Sequence, residues 1–258
     1  MRLMKRILSA AAVLALSASL LVGCSSGTAS SVPVSASSAA ESTVSSVEET
    51  ASSAVDENEA AAAQLLNDLT GSYQELWPVI LADEYKQTWL DDCTALVGKD
   101  NAEAAFEKLS SMVTGDVYGE DAVKAYANGG GAYFCGFTNS LATLTFDGET
   151  STISGTDKDG NVLFSHTYHY IGMEPVRGLY EFESDDADSG EFTYFFLAPD
   201  TSAETYHIEF RYGSDAEALS QYDAGEYAYW LASGISTDCD QTMIDNCIEL
   251  FCTENLAG

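Results

Sequence analysis

Basic side chains are scarce. Ten Lys+Arg stand against 41 Asp+Glu in 258 residues. Recognition of phosphate depends on cations, so nucleic acid is excluded as a partner, and anionic headgroups are disfavoured for the same reason. Only three histidines are present, which leaves few places for His-based catalysis. No GxSxG elbow, HExxH, P-loop or GxGxxG occurs. Carboxylate pairs are too common in so acidic a chain to inform, and nothing points to an enzyme. The absence of CxxC leaves a cysteine zinc cage or a thioredoxin-type centre unsupported. Beyond the N-terminal two dozen residues, no stretch is long and apolar enough to span a bilayer, which takes about 20 residues.

That N-terminal stretch has a definite character. Arg2, Lys5 and Arg6 precede a mostly apolar run from Ile7 to Val22, the pattern of an export signal. Leu21-Val22-Gly23-Cys24 follows and looks like a bacterial lipobox, in which cleavage falls before the cysteine and Cys24 carries the lipid. Residues 1–23 are therefore expected to be a signal peptide. Residues 24–60 are expected to be a lipidated cysteine followed by a Ser/Ala-rich stalk, because they have too few large apolar side chains to offset their ordering entropy. A flexible stalk of this length reaches on the order of 30 Å. Without the signal the chain keeps 7 Lys+Arg against 41 Asp+Glu, a formal charge of −34. Such a field keeps the surface soluble and concentrates cations near it. The expected location is the cell membrane, lipid-anchored, facing the exterior or the periplasm.

Residues 61–258 suit a single domain. From about Asn58 to Asn128 the pattern is helical: Leu65, Leu66, Leu69 and Tyr73 recur at helical spacing, and Gly129-Gly130-Gly131 would break the last helix. Asp100-Asn101-Ala102-Glu103 fits a capping box ahead of Phe106, Leu109 and Val113. From 132 to 212 short strand-like runs alternate with turns, Asp147-Gly148 and Asp159-Gly160 among them. The end is helical again, capped by Ser236 or Thr237, with Met243, Ile244, Cys247, Ile248 and Phe251 on one side. The fold class is α+β: a small antiparallel barrel flanked by N-terminal and C-terminal helices. Besides Cys24, five cysteines remain, at 93, 135, 239, 247 and 252. Their pairing is not readable from spacing, and they are read mostly as small apolar residues.

The histidines carry the candidate chemistry. His166 and His169 lie in one strand-like run but on opposite faces, so they cannot chelate one ion unless the strand bulges. In Tyr206-His207-Ile208-Glu209-Phe210-Arg211-Tyr212, one face is apolar and the other carries His207, Glu209 and Arg211. An imidazole and a carboxylate two residues apart on one face can reach the same divalent ion, and both are ordinary zinc ligands. The competing arrangement is a solvated face on which Arg211 pairs with Glu209.

Several segments together resemble the ZinT (YodA) family. They are Asp68-Leu69-Thr70-Gly71-Ser72-Tyr73-Gln74-Glu75-Leu76-Trp77-Pro78, then Tyr168-His169-Tyr170-Ile171-Gly172, then Arg177-Gly178-Leu179-Tyr180-Glu181-Phe182-Glu183, then Ala198-Pro199, and finally His207-Ile208-Glu209-Phe210-Arg211-Tyr212-Gly213-Ser214-Asp215. The resemblance covers most of residues 65–258. It implies a lipocalin-like barrel, a bound zinc ion and a zinc ABC transporter as the recipient of the metal. His207 matches the first histidine of the family's H-x-H, and Glu209 replaces the second. Phe195 stands three residues before the alanine of Ala198-Pro199, where the family has its remaining histidine, and phenylalanine cannot ligate. His169 or a nearby carboxylate is then the expected third ligand. The alternative is a lipocalin-like module that has lost its metal and binds a small molecule or a protein at the barrel mouth.

Overall fold

The computed structural model describes residues 57–127, 131–199 and 207–257. The export signal, Cys24, most of the stalk, Gly129, Gly130 and the segment just before His207 lie outside these described residues. Residues 57–68 form helix α1. Strand β1 (Gly71–Glu75) follows, and then the helices α2 (Leu76–Ile80), α3 (Lys86–Val97), α4 (Ala102–Val113) and α5 (Glu120–Ala125). Six strands come next: β2 (Thr143–Asp147), β3 (Thr152–Thr156), β4 (Val162–Met173), β5 (Tyr180–Ser184), β6 (Tyr194–Leu197) and β7 (His207–Gly213). Helix α6 (Ala216–Leu219), strand β8 (Ala232–Ser236) and helix α7 (Gln241–Leu256) complete the chain. Each strand pairs antiparallel with the next, and β8 returns to β1, so the sheet is a closed eight-stranded barrel. This is the helix-flanked antiparallel barrel expected from the pattern of the sequence. No helix among the described residues is long and apolar enough to cross a membrane.

Two of the eight strands lie outside the 132–212 segment that reads as strands. Tyr73 belongs to β1, not to the first helix, and packs its ring edge-on against Phe146 at 5.7 Å. β1 reads GSYQE, too polar and too short to show an alternation. β8 reads ASGIS and is buried on both faces along most of its length, so no polar face marks its period. The caps also differ from expectation. Asn101 caps α4 without a side-chain bond to the helix, because its amide donates back to the Val97 carbonyl at 3.0 Å. Helix α7 starts later than Ser236 or Thr237 would place it: the cap is Asp240, whose carboxylate accepts from the Met243 amide at 3.0 Å.

Apolar packing forms two layers. Inside the barrel, fully buried rings from β2, β5, β6 and β7, including Phe146, Phe182, Phe195, Phe210 and Tyr212, fill the space between the walls. Outside it, α2, α3, α4 and α7 gather around Trp89, Leu109, Ile80 and Ile248, and Ile235 of β8 joins them from the barrel wall. Helix α1 closes one end through Leu65, Leu66 and Leu69. The β2–β3 turn is pressed against this helix. A Cβ on Gly148 would lie 2.4 Å from the Asn67 Cα and 2.6 Å from the Leu66 carbonyl oxygen, and both are main-chain atoms with no room to yield. The glycine of this Asp-Gly turn thus serves a close approach, while the left-handed residue of the turn is Ser151 (φ 52°). Gly148→Ala should cost about 1–3 kcal/mol through this forced displacement, read as an earlier midpoint in urea unfolding.

Candidate metal site beneath the C-terminal helix

Strand alternation decides where the β7 side chains go. Ile208, Phe210 and Tyr212 point into the barrel and are fully buried, while His207, Glu209 and Arg211 take the outer face. Helices α2 and α7 cover the first two. His207 and Glu209 line a cavity of about 70 Å³ together with Leu76, Trp77 and Ile80 of α2 and Cys247, Leu250, Phe251 and Glu254 of α7. Cys247, Phe251 and Glu254 are four and then three residues apart, so one stripe of α7 faces the strand. The cavity therefore has four side chains with metal-ligating atoms and an otherwise apolar wall. Each of the four also has an interaction partner in the fold. Among the described residues, no group of three or more His, Cys, Asp or Glu side chains is already gathered for a metal ion.

Burial disfavours the thiolate both at the cavity's Cys247 and at nearby Cys135. Burial pushes Cys247 up to about 12, and charge on Cys239 adds to the shift. Burial likewise pushes Cys135 up to about 12, and the Glu209 carboxylate contributes next, which places Glu209 close enough to influence that thiol. Glu209 also borders a second, wider cavity of about 310 Å³ with Arg177, Leu179, Ala198, Pro199 and Leu231.

Arg211 does not pair with Glu209. It is fully buried and directs its guanidinium at main-chain carbonyls: those of Leu219 and Tyr227, and that of Gln221 at 3.4 Å. Its Cζ lies 4.4 Å from the centroid of the Tyr222 ring, and the Arg177 Cζ lies at the same distance from that ring. The cation expected to neutralise Glu209 is thus committed elsewhere.

The structure does not bring His169 to this place. His169 lies on the outer face of β4, half exposed, with its Nδ1 2.7 Å from an Asp185 carboxylate oxygen. Strands β5 and β6 separate β4 from β7 in the sheet. His166 is on the opposite face of β4 and meets Asp186 at 2.7 Å. The register of β4 shifts at two places, between Val162 and Phe164 and between Tyr170 and Gly172, but these fall before and after the two histidines and leave them on opposite faces. Phe195 is not at the site either. It is fully buried inside the barrel, pairs across the sheet with Tyr212, and stacks on that ring at 5.3 Å. Position 195 and positions 207 and 209 therefore lie on opposite sides of one wall. Cys247 and Glu254 had no distinguishing local signal in the sequence. Only their spacing along α7, once that helix is known to cover β7, selects them.

The protein is thus of the class of helix-covered, closed antiparallel barrels. No family model and no curated protein matches the chain. Among solved structures, it is similar to the Zn(II)-bound ZinT-like domain of AdcA from Streptococcus pneumoniae, at 17% identity and a TM-score of 0.45, over 71% of this chain and 89% of that one. It is also similar to Zn(II)-bound AdcA from the same organism, at 16% identity and a TM-score of 0.42, over 72% of this chain and 35% of that one.

Proposed function

We propose that this domain binds zinc or a similar divalent ion in the cavity between β7 and α7, with His207 and Glu209 as the strand ligands. One observation carries the reading: His207 and Glu209 share a 70 Å³ cavity with Cys247 and Glu254. Imidazole nitrogen, carboxylate oxygen and thiolate sulfur are the donor types that zinc takes. The apolar remainder of the wall lowers the local dielectric and so strengthens the attraction between ion and carboxylate. The α7 side chains supply the ligands beyond the first two, and they replace His169 in that role. A bound ion would displace the proton that burial keeps on Cys247. The role is binding, not catalysis. With the export signal and Cys24 as read from the sequence, the protein becomes a lipid-anchored metal carrier outside the cytoplasm that passes its ion to a zinc transporter. A small molecule bound inside the barrel would instead have to displace Phe195, Phe210 and Tyr212.

The test is calorimetric titration of Zn²⁺ into the chelator-treated, detergent-solubilised full chain, beside His207→Ala and Glu209→Gln. One site per chain is expected, weakened about 100-fold or more by His207→Ala, since loss even of groups that merely support a ligand costs 10–100-fold. Uptake that is weak, sensitive to salt and equal in all three proteins would assign the metal to the acidic surface and overturn the reading.

A further inference from the structure

The helical layer holds a thiol pair that the metal reading does not use. Cys93 on α3 and Cys252 on α7 are both fully buried, and their sulfurs are 3.9 Å apart. They are 159 residues apart in the chain. Each is set in a rigid frame. Trp89, one turn before Cys93, packs on Phe251, the neighbour of Cys252, with ring centroids 6.0 Å apart. The Trp89 indole is fixed in turn by its hydrogen bond to the Ile80 carbonyl at 2.7 Å. A disulfide needs sulfurs about 2.05 Å apart, so each sulfur has to move by about 1 Å, within the reach of side-chain rotation. By contrast, Cys247 and Cys252 lie on one helix at a spacing that a bridge would strain.

We propose that Cys93 and Cys252 form a disulfide that staples the C-terminal helix to α3 when the chain folds under oxidising conditions. The proposal does not depend on the metal site; its physiological setting follows from the export reading, since disulfides persist outside the cytoplasm. The oxidant is a disulfide donor of the glutathione or thiol-oxidoreductase class. One cysteine thiolate attacks the donor's S–S bond, forms a mixed disulfide and releases one donor thiolate. The second cysteine thiolate then attacks the protein sulfur of that mixed disulfide and expels the other donor thiolate. Two protein thiols are oxidised, one donor disulfide is reduced to two thiols, and the two protons pass to the released thiolates. Burial holds both thiols in the protonated, unreactive form in the folded protein. The exchange therefore belongs to folding, before the helical layer closes. Its effect falls on α7, whose Cys247 and Glu254 wall the cavity at β7.

The experiment is refolding of the urea-denatured, reduced full chain in a buffer of reduced and oxidised glutathione, followed by alkylation and peptide mapping without reductant. The expected product links the Cys93 and Cys252 peptides and melts about 10 °C above the same protein refolded with reductant, as befits a long closed loop. Cys252→Ala should show no reductant-dependent difference of that size, while Cys239→Ala should keep both the linkage and the shift. Recovery of Cys93 and Cys252 as separate alkylated peptides, or of either linked to another cysteine, would overturn the proposal. That mapping is made on the unsubstituted chain and so does not depend on any variant folding.

Discussion

Phe195→His is expected to lose about 3–5 kcal/mol of stability and to gain no zinc. The resemblance to the ZinT family invites the opposite expectation, because the substitution restores a histidine where that family has one. The wall of the barrel decides between them. Phe195 is fully buried and its ring touches those of Phe164 at 5.8 Å, Tyr168 at 5.4 Å and Tyr212 at 5.3 Å. A smaller, polar ring there loses packing comparable to other large aromatic truncations, about 3–5 kcal/mol for Phe→Ala. It also buries two ring nitrogens, each costing about 1–3 kcal/mol if unsatisfied. The imidazole keeps part of the contact area, which offsets some of that sum. His207 and Glu209 face the other side of the same wall, so the new nitrogen cannot reach an ion held by them. Urea unfolding beside zinc titration measures both halves. Tighter zinc binding at the single site in Phe195→His, with stability unchanged, would show that the wall is arranged differently.

Arg211→Met is expected to be comparably severe for stability and to leave zinc affinity as it is. The guanidinium serves the carbonyls of Leu219, Gln221 and Tyr227, all within the segment joining β7 to β8. Regular structure in that segment is limited to the four residues of α6, so few main-chain bonds are available to take over. Removing the cation has one benefit, since its burial is costly and already disfavours its charged form. Against this stand several main-chain acceptors left without a donor, and the lost contact with Tyr222 adds to the cost. Breaking such a buried charged cluster from one side costs about 3–5 kcal/mol, which corresponds to a fall of about 10 °C in Tm for a domain of this size. Arg211→Lys should recover only part of it, because an ammonium cannot reproduce the planar fork. Thermal melts of the three proteins separate these outcomes; equal melting temperatures would mean that the segment holds itself.

The middle of the barrel was legible because β2 and β4 each have a face exposed enough to keep polar residues, and β7 keeps His207, Glu209 and Arg211 on its outer face although that face is covered, so their alternation shows. β8 was not, since Ala232 to Ile235 are buried on both sides and one of them is Gly234, whose missing side chain lets Ile208 approach to 3.0 Å of where a Cβ would stand. At the candidate site, the strand half could be read from the His207–Glu209 spacing alone. The helix half could not. Cys247 and Glu254 acquire meaning only from the position of α7 across the cavity from β7, a juxtaposition of segments about 40 residues apart that no local pattern encodes. Arg211 shows the same limit from the other direction. Its neighbour two residues away on the same face was the obvious partner, yet the fold offered carbonyls from the following segment instead.

Barrel closure bears on how the chain is made. The seam joins Tyr73 of β1 to Ser236 of β8, so the first and last strands of the sheet are mutual neighbours. A polypeptide emerging from its N-terminus must hold the open edge of β1 in reserve until more than nine-tenths of the sequence is available. Contact order is correspondingly high, and folding is slow on the scale of domains built from local contacts. Over that interval the unpaired edge is open to pairing with another chain. The heavy negative charge, which repels like molecules throughout it, then acts as protection for the nascent protein as much as solubility for the finished one.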